Sequence, residues 1–337
     1  MNLLKQKDHF LFFLILTFVF ISSSALSISK NLVEEIKSLP KLPITQNFPE
    51  NPVLKDNSAF PGEKQVFPIL SAQGATAVDL DSGVSLYEKN PDAVLLPAST
   101  TKIITALVAL DTYALDQVLT VPKGINVDGQ KMRLYVGEQM RVEDLLYGLL
   151  VYSANDAAMT LAINYPASPS GKLGGYDAFI EAMNEKAKDL SMTNSHFENP
   201  VGLDGTAQTT TAKDLLRATE VAMRNPQFAK FVGTKSVSLA DATGKVKYNL
   251  KNINLLLEEV PGVLGVKTGW TENARENLVT YIERDGRRVI IVLLGSQDRF
   301  GETRELIDWI FDNYEWREVK IPIALDSNLQ SLPEGKP

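Results

Sequence analysis

The sequence predicts a mixed α/β (α+β) fold in which a sheet built from the two ends of one domain is covered by helices. Three observations carry this. Strand-like stretches cluster at 75–88 and 264–295, the region between them is dominated by apolar residues at helical spacing, and an amphipathic stretch closes the domain. No internal repeat and no second domain is evident.

In chain order, residues 1–27 read as a signal peptide or an N-terminal membrane anchor. Lys5 and Lys7 precede the apolar run Phe10 to Ile21, and small residues Ser22 to Ala25 follow, an order that favours cleavage near Ser23 and Ala25. The run is short against the ~20 apolar residues of a bilayer span. Export is expected, and any membrane association would run through this segment. Residues 28–66 carry Pro40, Pro43, Pro49, Pro52 and Pro61 among polar residues and read as a linker, with an arm packed on the domain as the other reading. The folded domain is expected over 67–316. Ala75 to Leu80 and Val84 to Glu88 flank Asp81-Ser82-Gly83 as a hairpin, and a helix from Ser99 to about Tyr113 follows. Arg141 to Val151, Ala154 to Ile163, Tyr176 to Leu190 and Thr211 to Arg224 have helical spacing, with a break at Tyr152-Ser153. Short strands are expected at Lys235 to Leu239, Lys245 to Tyr248 and Leu264 to Lys267. Leu278 to Arg284 and Arg288 to Gly295 read as a hairpin around Asp285-Gly286, Glu302 to Tyr314 as the last helix, and 317–337 as a polar tail.

Composition narrows the function. The 44% hydrophobic and 22% charged content is that of a globular protein, and a net charge of −7 argues against a nucleic-acid partner. Cysteine is absent, which removes disulfides, thiol nucleophiles and thiolate metal sites. The two histidines, His9 and His196, are too few for histidine-rich zinc catalysis, and no Gly-x-Ser-x-Gly elbow exists. No metal and no cofactor is expected. A hydrolase of this composition would draw its general base from Lys, Asp or Glu.

The chemistry centres on Pro97-Ala98-Ser99-Thr100-Thr101-Lys102, ahead of the apolar run Ile103 to Leu110. Residues three apart share a helix face, so the Lys102 amine can reach the Ser99 hydroxyl. A serine is a poor nucleophile until a base takes its proton, and a lysine is that base only where burial or nearby cations hold it neutral. Alone the spacing is weak: Ser27 and Lys30, and Ser38 and Lys41, repeat it, and a helix N-cap with a surface lysine would look the same. Two later motifs strengthen it, Ser153-Ala154-Asn155 at an inter-helix break and a single Lys267-Thr268-Gly269 at a strand end. Ser-x-x-Lys, Ser-x-Asn and Lys-Thr-Gly in this order are the signature of penicillin-binding proteins and class A β-lactamases.

These motifs, with Asn199-Pro200-Val201-Gly202-Leu203 and Gly265-Val266-Lys267-Thr268-Gly269-Trp270-Thr271, closely resemble the D-alanyl-D-alanine carboxypeptidases, low-molecular-weight penicillin-binding proteins of the serine peptidase type. The resemblance covers roughly 67–316, which it marks as a DD-peptidase catalytic domain. It implies a β-lactamase-like fold with an antiparallel sheet packed between helices, peptidoglycan stem peptides as substrate, β-lactams as inhibitors, and a periplasmic or extracytoplasmic location. It also implies roles. Ser99 would attack the D-Ala-D-Ala carbonyl, Lys102 would be the acylation base, Ser153 would relay the proton to the leaving amine, and Asn155 would hold the substrate amide and the Lys102 side chain. Lys267 would keep Lys102 neutral, Thr268 would bind the terminal carboxylate, and Gly269 would let the substrate backbone lie along the strand. The N–H groups of Ser99 and Trp270 would form the oxyanion hole, and Arg299 would help bind the carboxylate. Asn199 to Leu203 is expected to be structural. Many relatives have histidine where this chain has Trp270, which leaves the contacts at the substrate's edge open.

Rival readings share the motifs. Class A β-lactamases need a deacylating glutamate in a Glu-x-x-x-Asn loop, and none lies between Asn155 and Lys267. A DD-endopeptidase cutting cross-links is the nearest alternative, and a non-catalytic penicillin-binding sensor would have no need of the Lys102 base.

Overall fold

Residues from both ends of the described chain meet in one sheet, as the strand patterns predict. The computed structural model describes residues 50–55, 67–125, 127–167, 171 and 173–318. Strands β1 (Glu50–Leu54), β2 (Gly74–Asp79) and β3 (Ser85–Lys89) come first. The middle holds α1 (Lys102–Thr112), the short strands β4 (Val118–Thr120) and β5 (Gln139–Arg141), α2 (Val142–Val151), α3 (Asn155–Ile163), α4 (Tyr176–Asp189), α5 (Ala212–Met223) and α6 (Pro226–Gly233). Then follow β6 (Ser236–Ala240), β7 (Lys247–Lys251), the single turn α7 (Leu256–Glu259), β8 (Val263–Thr271), β9 (Arg275–Arg284), β10 (Arg287–Ser296), α8 (Arg299–Asn313) and β11 (Tyr314–Glu318).

The main sheet is antiparallel, in the order β3-β2-β10-β9-β8. Side chains of a strand alternate between its faces, and β10 is apolar on both. Val289, Ile291 and Leu293 pack with Leu306, Ile307 and Ile310 of α8, whereas Ile290, Val292 and Leu294 join the core formed by α1 to α6. The sheet therefore sits between helical layers. Strand β8 is its edge, where an extended peptide can add.

Several elements depart from the sequence reading. Glu50–Leu54, inside the stretch read as a linker, pairs with β11, which itself reaches into the expected tail. Trp316 Nε1 donates to Asp79 Oδ2 at 2.8 Å, and Arg287 pairs with Glu50. Helix α6 was not expected, although Asn225 caps it at Gln227 and Phe228 and Pro226 occupies its first turn. Helix α8 begins at Arg299 rather than Glu302, because Asp298 caps the Gly301 N–H at 2.9 Å. The expected signal or anchor over 1–27 lies outside the described residues, as do 28–49, 56–66 and the tail from 319. No described helix is long and apolar enough to cross a membrane.

Candidate active site

Pro97 leads into a 3-10 turn, Ala98–Thr101, that runs directly into α1. In a 3-10 turn residues i and i+3 eclipse, which brings Lys102 over Ser99. Lys102 Nζ lies 2.8 Å from Ser99 Oγ and donates to the Val201 carbonyl at 2.6 Å. Around it α1 is apolar, with Ile103, Ile104 and Ala106 buried, and Lys102 itself is 0% exposed. Such a site penalises a charged amine. Burial holds the Lys102 pKa well below the ordinary lysine value, and the neighbouring Lys267 lowers it further. Ala98 adopts a left-handed backbone, φ +48°, at a cost of about 1 kcal/mol that the packing around the turn must offset. Asn277, fully buried on β9, donates to both the Leu96 and Pro97 carbonyls at 2.9 Å and fixes the approach to that turn.

The second motif lies where the break between α2 and α3 was expected. Ser153 is left-handed, φ +61°, and its Oγ accepts from Lys267 Nζ at 2.9 Å. Asn155 opens α3, and its amide donates to the Asp128 carbonyl rather than contacting Lys102. Its Oδ1 is buried without a hydrogen-bond partner among the described residues. Next to it, Asp156 accepts the N–H groups of Met132, Arg133 and Leu134, so the start of α3 holds the 128–134 loop against the site.

The third motif lies on β8. Lys267, 1% exposed, also donates to the Thr268 carbonyl at 3.0 Å. Burial, and then Arg299, push its pKa down to about 7. Gly269 passes so close to the nucleophile turn that an added Cβ would lie 3.1 Å from Ser99 N, Ala98 Cβ and Pro97 O. Its missing side chain is therefore needed by the turn itself. Arg299 Nη1 donates to the Gly269 carbonyl at 2.9 Å, while Nε is buried without a partner among the described residues. A cation is unfavourable in the first turn of a helix. Glu276 offsets it by accepting the Arg299 N–H at 2.9 Å and by opposing the effect of burial on the guanidinium pKa.

Ser99, Ser153, Asn155, Thr268, Gly269, Trp270 and Arg299 line one cleft of about 270 Å³, whose walls also include Gly129, Gln130, Ile253 and the 201–203 turn. Lys102 and Lys267 sit beneath it, joined to Ser99 and Ser153. Trp270 is 62% exposed. The nine site residues expected from the sequence are thus at one place, seven along the cleft and Lys102 and Lys267 bonded to it. Residues 62–298 match the D-alanyl-D-alanine carboxypeptidase family, peptidase S11. The chain belongs to this family of serine-type hydrolases. It is 33% identical over 253 residues to the D-alanyl-D-alanine carboxypeptidase DacF of Bacillus subtilis, a match covering 72% of this chain and 63% of that relative. A Pseudomonas aeruginosa D-alanyl-D-alanine endopeptidase is 32% identical over 263 residues, covering 75% of this chain and 82% of that protein. The crystal structure of the Streptomyces K15 DD-transpeptidase superposes with a TM-score of 0.69 at 32% identity, covering 74% of this chain and all of that one. The DD-peptidase fold accordingly shows the β-lactamase-like arrangement expected, an antiparallel sheet between helices.

Two contributors escaped the sequence reading. The partner of the Lys102 amine is a backbone carbonyl, Val201, which has no residue-type signature. Asp156 lies just beyond the second motif, and its position directly after Asn155 was the available signal.

Proposed function

We propose that residues 67–316 form a serine D-Ala-D-Ala carboxypeptidase that removes the terminal D-alanine from peptidoglycan stem peptides through an acyl-enzyme. The observation that carries this is the Lys102 amine 2.8 Å from Ser99 Oγ, wholly buried in a site that lowers its pKa well below the ordinary lysine value. The Ser99 oxygen bonds to the D-Ala-D-Ala carbonyl carbon as its proton passes to Lys102. The N–H groups of Ser99 and Trp270 stabilise the oxyanion, each such donor being worth about 3 kcal/mol. As the C–N bond breaks, the proton reaches the leaving amine through Ser153, and water then releases the shortened peptide and restores Ser99. Asn155 Oδ1 accepts from the substrate amide, and Thr268 and Arg299 bind the terminal carboxylate.

Penicillins mimic the substrate and acylate the same hydroxyl. Peptidoglycan lies outside the cytoplasm, which agrees with residues 1–27 as an export signal or anchor.

The test is a labelled penicillin followed by a pentapeptide and, separately, a cross-linked muropeptide. A slowly released adduct on Ser99, its loss in Ser99→Ala, and free D-alanine from the pentapeptide are the expected results. Cleavage of the cross-link alone would make the protein an endopeptidase, and an adduct without turnover would make it a sensor. Arg299→Ala should raise KM about tenfold or more for peptides with a free carboxylate, in keeping with the loss of a charge-assisted contact. An equal loss on a substrate lacking that carboxylate would assign Arg299 to support of Gly269 instead.

A further inference from the structure

The turn at 199–203 does more than border the cleft. We infer that Asn199 is a positioning residue for the base: it folds this turn so that the Val201 carbonyl holds one N–H of Lys102 and leaves the amine lone pair facing Ser99. The inference rests on Lys102 being the acylation base.

A neutral lysine amine has two N–H groups and one lone pair, and free rotation would aim the lone pair at random. A carbonyl oxygen can only accept. Val201 O, 2.6 Å from Nζ, therefore takes an N–H, and with one N–H so held the lone pair can turn to Ser99 Oγ, 2.8 Å away, whose hydroxyl otherwise reaches Val201 O only at 3.5 Å. When the proton moves from Ser99 Oγ to Nζ, the new ammonium keeps its bond to Val201, now charge-assisted and stronger. The carbonyl thus serves the product of proton transfer better than its starting state.

The turn is built for that aim. Asn199 Oδ1 accepts from the N–H groups of Val201, Gly202 and Leu203 at 3.3, 2.8 and 3.1 Å, and Nδ2 returns a bond to the Leu203 carbonyl at 2.9 Å. Gly202 has φ +85°, and a Cβ there would fall 1.9 Å from the Ala98 carbonyl oxygen, so the turn rests directly on the nucleophile segment. Two further links join it to α1 and the preceding turn. Thr105 Oγ1 donates to the Pro200 carbonyl at 2.7 Å. Fully buried Gln208 accepts from Glu198 and Asn199 N–H and donates to Thr101 Oγ1 at 3.0 Å. One amide side chain therefore organises the loop, and the loop is fastened on either side of Lys102.

The charged group facing Lys102 is Lys267 of β8, with Arg299 of α8 behind it. Both are cations. A misaimed Val201 carbonyl would withdraw the acceptor that favours the ammonium, so the pH below which the base is protonated and inactive would move down.

The experiment measures the rate of penicillin acylation of the full chain against pH for the parent, Asn199→Ala, Asn199→Asp and Thr105→Val, with Ser99→Ala as the blank. Asn199→Ala should acylate on the order of tenfold or more slowly, as a displaced catalytic group does, with its acid limb at lower pH. Asn199→Asp keeps the triple acceptor and should recover to within about threefold of the parent rate. Thr105→Val, which loosens the same turn without touching Asn199, should move rate and limb in the same direction and serves if Asn199→Ala does not fold. Parent-like acylation in the folded variants, or slowing with an unmoved acid limb, would overturn the inference. A parent that is not labelled on Ser99 would instead overturn the assignment of the base.

Discussion

Lys102→Met should leave a folded protein whose Ser99 is acylated by penicillin roughly 10³-fold more slowly than in the parent, the loss expected for a general base. Methionine keeps the unbranched stem and fills the space left by the amine. Lys102 is wholly buried and its two polar partners are Ser99 Oγ and the Val201 carbonyl. Removing it therefore leaves no isolated buried charge, and burying an apolar group in place of a desolvated amine is neutral or stabilising. The expected pair of results is a near-complete loss of acylation with a melting temperature at or above that of the parent. Acylation within a few-fold of the parent would show that another group takes the Ser99 proton. Lys267, bonded to Ser153, would then be the first to test.

The same burial explains what the sequence could and could not convey. The helix carrying Lys102 is apolar over most of Ile103 to Leu110, a run long enough to mark a core helix, but a lysine at its head reads equally as a surface residue until the later motifs are added. The continuous apolar run of β10 likewise marks a strand, because both of its faces must be filled. Local pattern fails where partners come from far along the chain. The three-residue strands β4 and β5 are too short to show a period, and β1 owes its pairing to β11. Helix α6 presents Phe228, Phe231 and Val232 to the core, but its eight residues are shorter than the window of about 11 or more residues in which a helical period shows. At the site, side-chain chemistry was legible and backbone chemistry was not. Ser99, Ser153, Lys267 and Arg299 announce themselves by residue type. The amine's partner does not: Asn155 was expected to hold Lys102, whereas its Nδ2 is bonded to the Asp128 carbonyl and Val201 O takes the lysine.

Lys267→Met should stabilise the protein near neutral pH, and the margin should shrink as the pH rises. In the folded state the Lys267 pKa is pushed down to about 7, against 10.5 for an ordinary lysine. Between those values the unfolded chain binds a proton that the folded state does not, so parent stability rises with pH across the interval. Below about pH 7 the full cost of the buried ammonium is present, at most about 5 kcal/mol at ~1.4 kcal/mol per unit. The methionine variant loses the bonds to Ser153 Oγ and the Thr268 carbonyl, worth about 1 kcal/mol each. The remainder is a gain of roughly 2–3 kcal/mol near pH 7, readable by urea unfolding at a series of pH values. Acylation should respond in the opposite sense. Lys267 is the cation that lowers the Lys102 pKa beyond the effect of burial, so without it the base is protonated at higher pH and the acid limb moves up. Stability curves of parent and variant that run parallel through this interval would mean that folded Lys267 keeps its proton across it, so that its pKa is not lowered by burial. With the acid limb also unmoved, the tuning of Lys102 would rest on burial alone.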